Sequence, residues 1–432
     1  MTEDLKQDDG KRPRTLFGSI VIDTKPFQIP AFRRLWTSGA VTAIGSQLTA
    51  VAVPKQIYDL TGSSGYVGLT GAAALLPLLV FGLWGGAIAD AMDRRKLLLI
   101  TNTGVAATSI LLWAQAFLQF RSVWVVLGLL AVNQAFFAVN MPTRSAMVAR
   151  LVPTGQIPSA VALNTTMMHF GAVLGPLAAA AMMPFIGLST LYLLDAVALT
   201  LAVWAVWRLP AMAPSAEASG KAGLSDIWDG LRYLVTQKIL LASFLLDLIA
   251  MIAGMPRALF PEMAEKTFGD PVGGGIALGL LYAAIPIGSF VCGLGSGWLG
   301  NVRRQGAVTA IAVAAWGASV IGFGMSSTIT VAVFFLILGG AADFISMVMR
   351  GAIMQTATTD HMRGRLQGVF TVVVAGGPRV ADLTHGWTAA IAGTTVAATG
   401  GGVLVVVLTL VSVVALPAFW RYRVSAAETV VR

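Results

Sequence analysis

Long, nearly uncharged apolar runs recur along this chain of 432 residues and constrain its fold more than any other feature. A bilayer core of about 30 Å is crossed by roughly 20 apolar residues in a helix, which satisfies its own backbone amides where water is absent. Apolar residues make up 56% of the chain and charged residues only 11%, which excludes an ordinary soluble enzyme. The sequence predicts membrane-spanning helices over residues 35–57, 66–89, 97–120, 122–143, 160–184, 188–207, 239–260, 274–300, 306–325, 328–349, 366–394 and 396–419.

These twelve runs form two groups of six, separated by the longest polar stretch inside the chain. We therefore expect an all-α membrane protein with twelve transmembrane helices in two six-helix bundles. The expected divisions are a cytoplasmic N-terminal tail (1–29), an N-terminal bundle (30–208), a cytoplasmic linker (209–238), a C-terminal bundle (239–420) and a cytoplasmic C-terminal tail (421–432).

The basic residues indicate the orientation, because Lys and Arg are enriched in short cytoplasmic loops. With the N-terminus inside, all but five of the 29 Lys and Arg fall in the tails, the linker or the loops on the cytoplasmic side. The remaining five are Lys55, Arg121, Arg257, Lys266 and Arg379. Both termini are thus expected to be cytoplasmic, in a multi-pass protein of the inner or plasma membrane.

An internal repeat relates the two groups of runs. Pro77, Gly82, Gly86 and Asp90 of the second run recur as Pro286, Gly293, Gly297 and Asn301 of the eighth. Arg144 before Gly175-Pro176 is likewise echoed by Arg350 before Gly377-Pro378. Parallel repeats of this kind imply two bundles related by an axis along the membrane normal, with the substrate held between them.

The loop after the second run carries the first motif. Its sequence Gly86-Ala-Ile-Ala-Asp90-Ala-Met-Asp93-Arg94-Arg95-Lys96 resembles the G-x-x-x-D-R-x-G-R-R signature of the major facilitator superfamily. The resemblance implies the major facilitator fold and a conformational gate that includes Gly86, Asp90, Arg94 and Arg95. Ala91 and Asp93 depart from the family pattern, and plain solvated loop charges are the alternative interpretation.

A second motif lies in the fifth run. Gly171-x-x-x-Gly175-Pro176-x-x-Ala179-Ala180 resembles the G-x-x-x-G-P-x-x-G-G element of exporters in this superfamily, which adds Gly171, Gly175 and Pro176 to the predicted gate. Small residues let helices approach closely and proline removes a backbone bond, so ordinary helix packing is the alternative.

Three strings in the second half narrow the resemblance. Pro256-Arg257-Ala-Leu-Phe-Pro261, Leu280-Leu-Tyr282-Ala-Ala-Ile-Pro286 and Arg363-Gly-Arg365-Leu-Gln-Gly368 resemble the branch that contains enterobactin exporters and drug:proton antiporters. That branch implies secondary active export of a small amphipathic molecule, siderophore-like or another bulky anion, by alternating access with proton antiport. A broad-specificity efflux pump for macrolides, tetracyclines or cationic dyes is the alternative.

Ionisable residues inside the predicted spans are the candidate transport residues, because each costs about 2.5–3.5 kcal/mol to insert. Arg379 and Asp382 share a helical face at i,i+3 and could pair, and Asp382 is the first candidate to carry a proton. Arg257 is a candidate anion contact or outer gate, although it could simply snorkel to the interface. Asp247 could hold a cation or a proton, and His169 could titrate or merely pack.

Two further intramembrane acids receive weaker predictions. Asp343 lies about two turns from Arg350, which favours a structural pairing with an arginine near the inner end of that run. Asp195 is isolated within a Leu-Leu-Asp-Ala-Val run, and the sequence gives no account of it.

The sequence gives little support for a metal site or a nucleotide-binding site. One cysteine, Cys292, and three dispersed histidines give no metal-ligand spacing, and the Gly295-x-Gly297-x-x-Gly300 string lies at a helix end without a preceding strand. We therefore expect no cofactor, no metal and no enzymatic activity, and neither a channel nor an intramembrane enzyme fits the pattern. The expected partners are a small-molecule substrate, protons and the lipid bilayer, with no nucleic acid, and the chain is expected to be a monomer.

Overall fold

The computed structural model describes residues 23–210 and 224–423, and the regular secondary structure in these ranges is helical. The predicted N-terminal tail, linker and C-terminal tail fall partly outside the described residues. The helices are α1 (Pro30–Thr61), α2 (Ser64–Ala91), α3 (Arg94–Phe117), α4 (Val123–Leu151), α5 (Ile157–Trp207), α6 (Leu224–Thr236), α7 (Lys238–Gly254), α8 (Ile276–Leu294), α9 (Gln305–Gly324), α10 (Ile329–Ala357), α11 (Asp360–Ala392) and α12 (Thr394–Ala415).

Length and hydropathy together mark ten candidate membrane spans in the described part of the chain. They are Ser64–Gly82, Arg94–Phe117, Val123–Val148, Thr154–Ala179, Ala181–Trp207, Lys238–Thr267, Ile276–Leu294, Gln305–Gly324, Ile329–Ala357 and Thr394–Ala415. Helices α1 and α11 are 32 and 33 residues long but fall outside this set. In α1 the Ser, Thr and Gln residues between positions 37 and 49 lower the mean hydropathy, and in α11 the charged residues do so.

Helix α5 contains the break that the sequence predicted between its fifth and sixth runs. Gly187 adopts φ 72° and ψ 168°, a backbone conformation that glycine reaches without a steric penalty. Its 51 residues therefore form two helical segments, one on each side of Gly187. The polar stretch after α5 is followed by the strongly amphipathic α6, which lies against α11 where Gly230 meets the backbone of Arg365.

Helices of the same half pack mainly against one another. In the first half α1 and α3 both pack on α5, and α2 packs on α4; in the second half α9 packs on α10 and α12, and α8 packs on α10. The two halves meet where α2 packs on α11 and where α5 packs on α8. This arrangement leaves a cleft between the halves, and the contacting helices α2, α5, α8 and α11 flank it.

Glycines bring α2 and α11 into close contact. A Cβ atom added to Gly68 would lie 2.6 Å from the carbonyl oxygen of Asp382, and one added to Gly71 would collide with the carbonyl of Arg379. Gly386 of α11 is equally constrained by the backbone of Ser64. Because only a hydrogen fits at these positions, the backbones can approach as closely as they do.

Two buried arginines occupy repeated positions in the two halves. Arg144 on α4 donates to the carbonyl of Leu35 at 2.9 Å and lies 3.5 Å from the Ser38 hydroxyl, both on α1. Arg350 on α10 forms an ion pair with Asp247 on α7, and both side chains are almost fully buried. Each arginine thus ties a helix to the first helix of its own half, which agrees with the internal repeat.

The pairing of Arg350 gives Asp247 a structural partner, where the sequence suggested a cation or proton site. Arg350 reaches across to Asp247, because α10 packs against α7 and places the two side chains together. Asp343 lies within the electrostatic range of Arg257.

The Asp247–Arg350 pair predicts a large stability effect. Asp247→Ala leaves a buried guanidinium without its counter-ion and is expected to lower the unfolding free energy by about 3–5 kcal/mol. Asp247→Leu combined with Arg350→Met replaces both charges with apolar groups and should recover most of that loss. Thermal unfolding of the purified protein in detergent measures the difference.

The matched control is Asp229→Ala, because Asp229 forms an exposed pair with Arg365 at 3.8 Å. Exposed pairs contribute about 0–1 kcal/mol, so this variant should unfold close to the wild type. Equal losses in Asp247→Ala and Asp229→Ala would contradict the assignment.

Candidate transport site

A cavity of about 310 Å³ lies between the two halves. Helices α1, α2, α3, α4 and α5 contribute to its first wall, and α8, α11 and the turn after α7 contribute to its second wall. Its polar lining residues are Ser46, Gln47, Thr49, Thr70, Asn133, Gln134, Asp195, Arg257, Tyr282, Arg379 and Asp382. The cavity therefore offers both charged and hydrogen-bonding groups to a bound molecule.

The second wall holds the two cavity arginines. Helix α7 ends at Gly254, and the short 3₁₀ turn Arg257–Leu259 that follows directs Arg257 into the cavity, where its side chain is exposed. Within the described residues Arg257 has no hydrogen-bond or ion-pair partner. Its electrostatic neighbours include Asp382 and Asp343. An uncovered guanidinium in such a cavity is a ready donor to a carboxylate or catecholate oxygen.

Arg379 and Asp382 lie on the same wall but do not form the predicted ion pair. The guanidinium of Arg379 donates to the carbonyl of Ala375 on its own helix at 2.9 Å. One carboxylate oxygen of Asp382 is buried without a hydrogen-bond partner. The i,i+3 spacing permitted a pair, but the guanidinium of Arg379 instead bonds to a backbone carbonyl one turn earlier on its own helix.

The first wall is polar and carries a single acid. Asp195 lies on the second segment of α5 and accepts hydrogen bonds from Thr49 on α1 at 2.6 Å and from Ser109 on α3 at 2.8 Å. Asn133 and Gln134 of α4 also line the cavity, and Asn133 donates to Thr108 at 2.9 Å. The sequence did not predict a role for Asp195; its only signal was the presence of an acid within an apolar run.

Two of the predicted transport residues do not line the cavity. Asp247 is held by Arg350 within the second half. His169 is half-buried on α5 beside Phe170, whose ring centroid lies 5.6 Å from that of Phe290 on α8. The structure therefore brings together Arg257, Arg379 and Asp382 among the residues predicted for transport.

The predicted gate residues of the first motif are only partly described. The surroundings of Gly86 and the side chain of Asp90 lie outside the described part of the structure. Arg94 is buried and its guanidinium is 3.4 Å from the carbonyl of Ala146 on α4, while Arg95 donates to the carbonyl of Trp207 at the end of α5. These contacts join the start of α3 to its own half.

The second predicted gate element packs α5 against α1. A Cβ atom at Gly171 would lie 3.3 Å from Ala43, and one at Gly175 would collide with Gln47. Pro176 follows directly and lines the cavity. The glycines thus set the distance between two helices of the first half, and the proline places this segment at the cavity wall.

Polar contacts join the halves at the end of the bundle where α1 finishes. Lys55 is 1% exposed; its ammonium lies 2.5 Å from Asp59 on α1 and 2.7 Å from Glu265, which follows α7 in the other half. The hydroxyl of Ser64 also donates to Glu262 at 2.5 Å. We call Lys55, Asp59 and Glu265 the ionic clasp.

Comparison with known proteins decides the family. A family model described as Transmembrane secretion effector, of the major facilitator class, matches residues 23–429. The chain belongs to this family. It is a multi-pass membrane transporter, as predicted from its motifs.

Relatives and solved structures agree with this assignment. The chain is 27% identical over 399 residues to the enterobactin exporter EntS of Citrobacter koseri, an alignment that covers 91% of this chain and 94% of the relative. The crystal structure of the nucleoside transporter NupG has a TM-score of 0.70 at 14% identity and covers 91% of this chain and 100% of its own. A bacterial homologue of the lysosomal transporter Spinster, inward-facing and unoccupied, has a TM-score of 0.69 at 13% identity, with 92% and 97% covered.

Sequence reasoning missed the ionic clasp of this transporter. Lys55 was recognised only as one of five basic residues outside the cytoplasmic segments. The available signal was an acid four residues later on the same helix, together with Glu262 and Glu265 after the seventh run. Opposite charges near one end of two helices in different halves are typical of a contact that holds the halves together in one conformation.

Removal of the clasp should loosen this end of the transporter. The probe is a cysteine that replaces Thr70 in the cavity lining, in a Cys292→Ser background. We expect Lys55→Ala to raise the rate at which this cysteine reacts with a membrane-impermeant thiol reagent applied from the side where α1 ends. A gain of about tenfold corresponds to about 1.4 kcal/mol of lost closure energy.

The matched control is Arg121→Ala, since Arg121 is exposed between α3 and α4 and forms no ion pair among the described residues. This variant should react like the parent protein. A Lys55→Ala protein that reacts no faster than Arg121→Ala would rule out a closing role for the clasp.

Proposed function

We propose that this transporter exports a siderophore-like or other bulky amphipathic anion across the plasma membrane by alternating access, driven by proton antiport. The single observation that carries the proposal is Arg257, which is exposed in the cavity between the halves and forms no ion pair with the described residues. The similarity to enterobactin exporters over 91% of the chain supports the choice of a catecholate. Transport leaves the substrate chemically unchanged, so no enzymatic activity is proposed.

The proposed topology places twelve spans in two bundles, 30–208 and 239–420, with both termini and the linker 209–238 in the cytoplasm. Ten candidate spans support it, together with the break at Gly187 and the length of α1 and α11. In this orientation the ionic clasp lies on the outer side. The outward-open state of the cycle then requires the clasp to separate, whereas the predicted gate residues Arg94 and Arg95 lie at the inner side.

Recognition of an anion is proposed to depend on Arg257 and Arg379. Guanidinium groups bind paired oxygen acceptors through parallel hydrogen bonds, and the low dielectric of a membrane cavity strengthens such bonds. Asp382 lies near both arginines and competes with the substrate for them. Binding of the anion to the arginines would weaken their electrostatic interaction with Asp382 and favour protonation of Asp382. This exchange couples binding of the anion to binding of the proton.

Inside-out vesicles with an acid lumen test the function directly. We expect enterobactin to accumulate when the pH gradient is imposed and to stop accumulating when an uncoupler dissipates it. A cationic lipophilic dye offered in parallel should not accumulate. Accumulation of the dye alone would instead favour the broad-specificity pump, and accumulation of neither compound would contradict the proposed substrate class.

The arginines should determine affinity for the anion. Arg257→Gln and Arg379→Gln each remove a charged hydrogen bond of about 1.5–3 kcal/mol, so the half-saturating concentration of enterobactin should rise by roughly 10- to 100-fold. Initial rates in vesicles at several concentrations measure it. Arg121→Gln changes an exposed arginine between α3 and α4, outside the cavity lining, and should leave the value unchanged.

Asp382 is the proposed exchange carboxylate. Asp382→Asn removes both the proton site and the competitor for the arginines, so gradient-driven accumulation should fall by about tenfold or more while enterobactin binds at least as tightly. Equilibrium binding to the detergent-solubilised protein separates the two effects. Unchanged gradient-driven accumulation in Asp382→Asn would remove Asp382 from the coupling mechanism.

A further inference from the structure

Asp195 is a buried acid to which neither the sequence motifs nor the proposed anion site gives a role. It lies on the first cavity wall, opposite the arginines, and it is 1% exposed. Thr49 from α1 and Ser109 from α3 both donate to the same oxygen, Oδ2. The other oxygen, Oδ1, is buried and has no hydrogen-bond partner in the structure.

The surroundings of Asp195 contain no counter-ion. Within the described ranges 23–210 and 224–423 it forms no ion pair. Tyr192 on its own helix lies within its electrostatic range and donates to Gln56 on α1 at 2.9 Å, and Gln56 in turn bonds to Gln115 on α3.

The nearest charged groups lie further away on either side. Tyr192 is within the electrostatic range of both Asp195 and Asp59, so Asp59 of the ionic clasp lies beyond this polar cluster. Arg257, Arg379 and Asp382 lie on the other side, across the cavity. Asp195 therefore has hydroxyl donors on one oxygen and no cation beside it.

A carboxylate in this position can lose its charge by protonation at a low energetic cost. An unpaired ionised acid inside a membrane protein is costly, and protonation removes that cost without moving any helix. The buried atom Oδ1 is the free position for the proton, because Oδ2 already accepts two hydrogen bonds. Asp382 differs in its surroundings, because Arg257 and Arg379 both lie within its electrostatic range.

We propose that Asp195 is a proton-binding site of this transporter, on the wall opposite the anion site. The proposal rests on the proposed proton-coupled export and adds a second protonation site in the first half. The proton binds reversibly to Oδ1 of the carboxylate from water in the open cavity, and it leaves when the cavity opens to the side of lower proton concentration. No covalent step is involved.

The first measurement is the pH dependence of enterobactin exchange in vesicles with equal pH on both sides. Exchange needs no net proton movement, so it reports protonation without requiring a coupled gradient. We expect Asp195→Asn to remove one titration from the pH profile of exchange. A profile identical to the wild type would overturn the proposal.

Thr49→Val keeps the carboxylate and removes one of its donors. Loss of a hydrogen bond to the ionised form favours the protonated form, so the midpoint of the titration should move to higher pH by about one unit. The control is Thr42→Val, about two turns earlier on α1, whose hydroxyl bonds only to the carbonyl of Ser38 among the described residues. A midpoint that moves equally in both variants, or in neither, would contradict the assignment.

The second measurement is gradient-driven accumulation under the conditions given above. Asp195→Asn should reduce it by about tenfold, and Asp195→Glu should restore part of it because the acid is retained. If the wild type accumulates enterobactin without a pH gradient, the proposed antiport fails, while the exchange profile still tests Asp195. If the wild type needs the gradient and Asp195→Asn accumulates equally well, only the role of Asp195 fails.

Discussion

A polar group inside a bilayer has no water to bind, so it must find its partner within the protein. This constraint explains most of the specific contacts between helices here. Arg350 is neutralised by Asp247, Arg144 is held by the first helix of its half, and Lys55 lies between two carboxylates. Apolar packing fills the space between helices, but these polar contacts determine which helix faces which.

The same constraint identifies the atoms that remain unsatisfied. Each half has one cavity acid with a buried carboxylate oxygen that has no partner, Asp195 in the first and Asp382 in the second. Asp247 lies beside its counter-ion, away from the cavity lining. A membrane protein that retains uncompensated polar atoms beside a cavity pays for them in stability, and binding of a substrate or a proton is the physical reason to keep them.

Local features of the fold could be predicted from the sequence, whereas pairings between helices could not. Apolar runs and helix-breaking residues act over a few residues, so the hydropathy pattern located ten candidate spans and the division of α5 near Gly187. The partner of Arg350 depends on which helices pack together, and the sequence suggested a cation or proton for Asp247 rather than this arginine. Likewise, spacing alone allowed Arg379 to reach Asp382, but it could not include the competing carbonyl of Ala375.

The two cavity walls differ in a way that suits an exchange of an anion for a proton. The wall from the second half carries the arginines and Asp382, whereas the wall from the first half carries hydroxyl and amide groups with a single acid. A proton site placed only beside the arginines would be occupied or emptied by the anion itself. A site on the opposite wall is accessible to water whenever the halves separate, and it loses that access when they close. Its occupancy is therefore controlled by the movement of the halves, which is the property that alternating access requires of a coupling site.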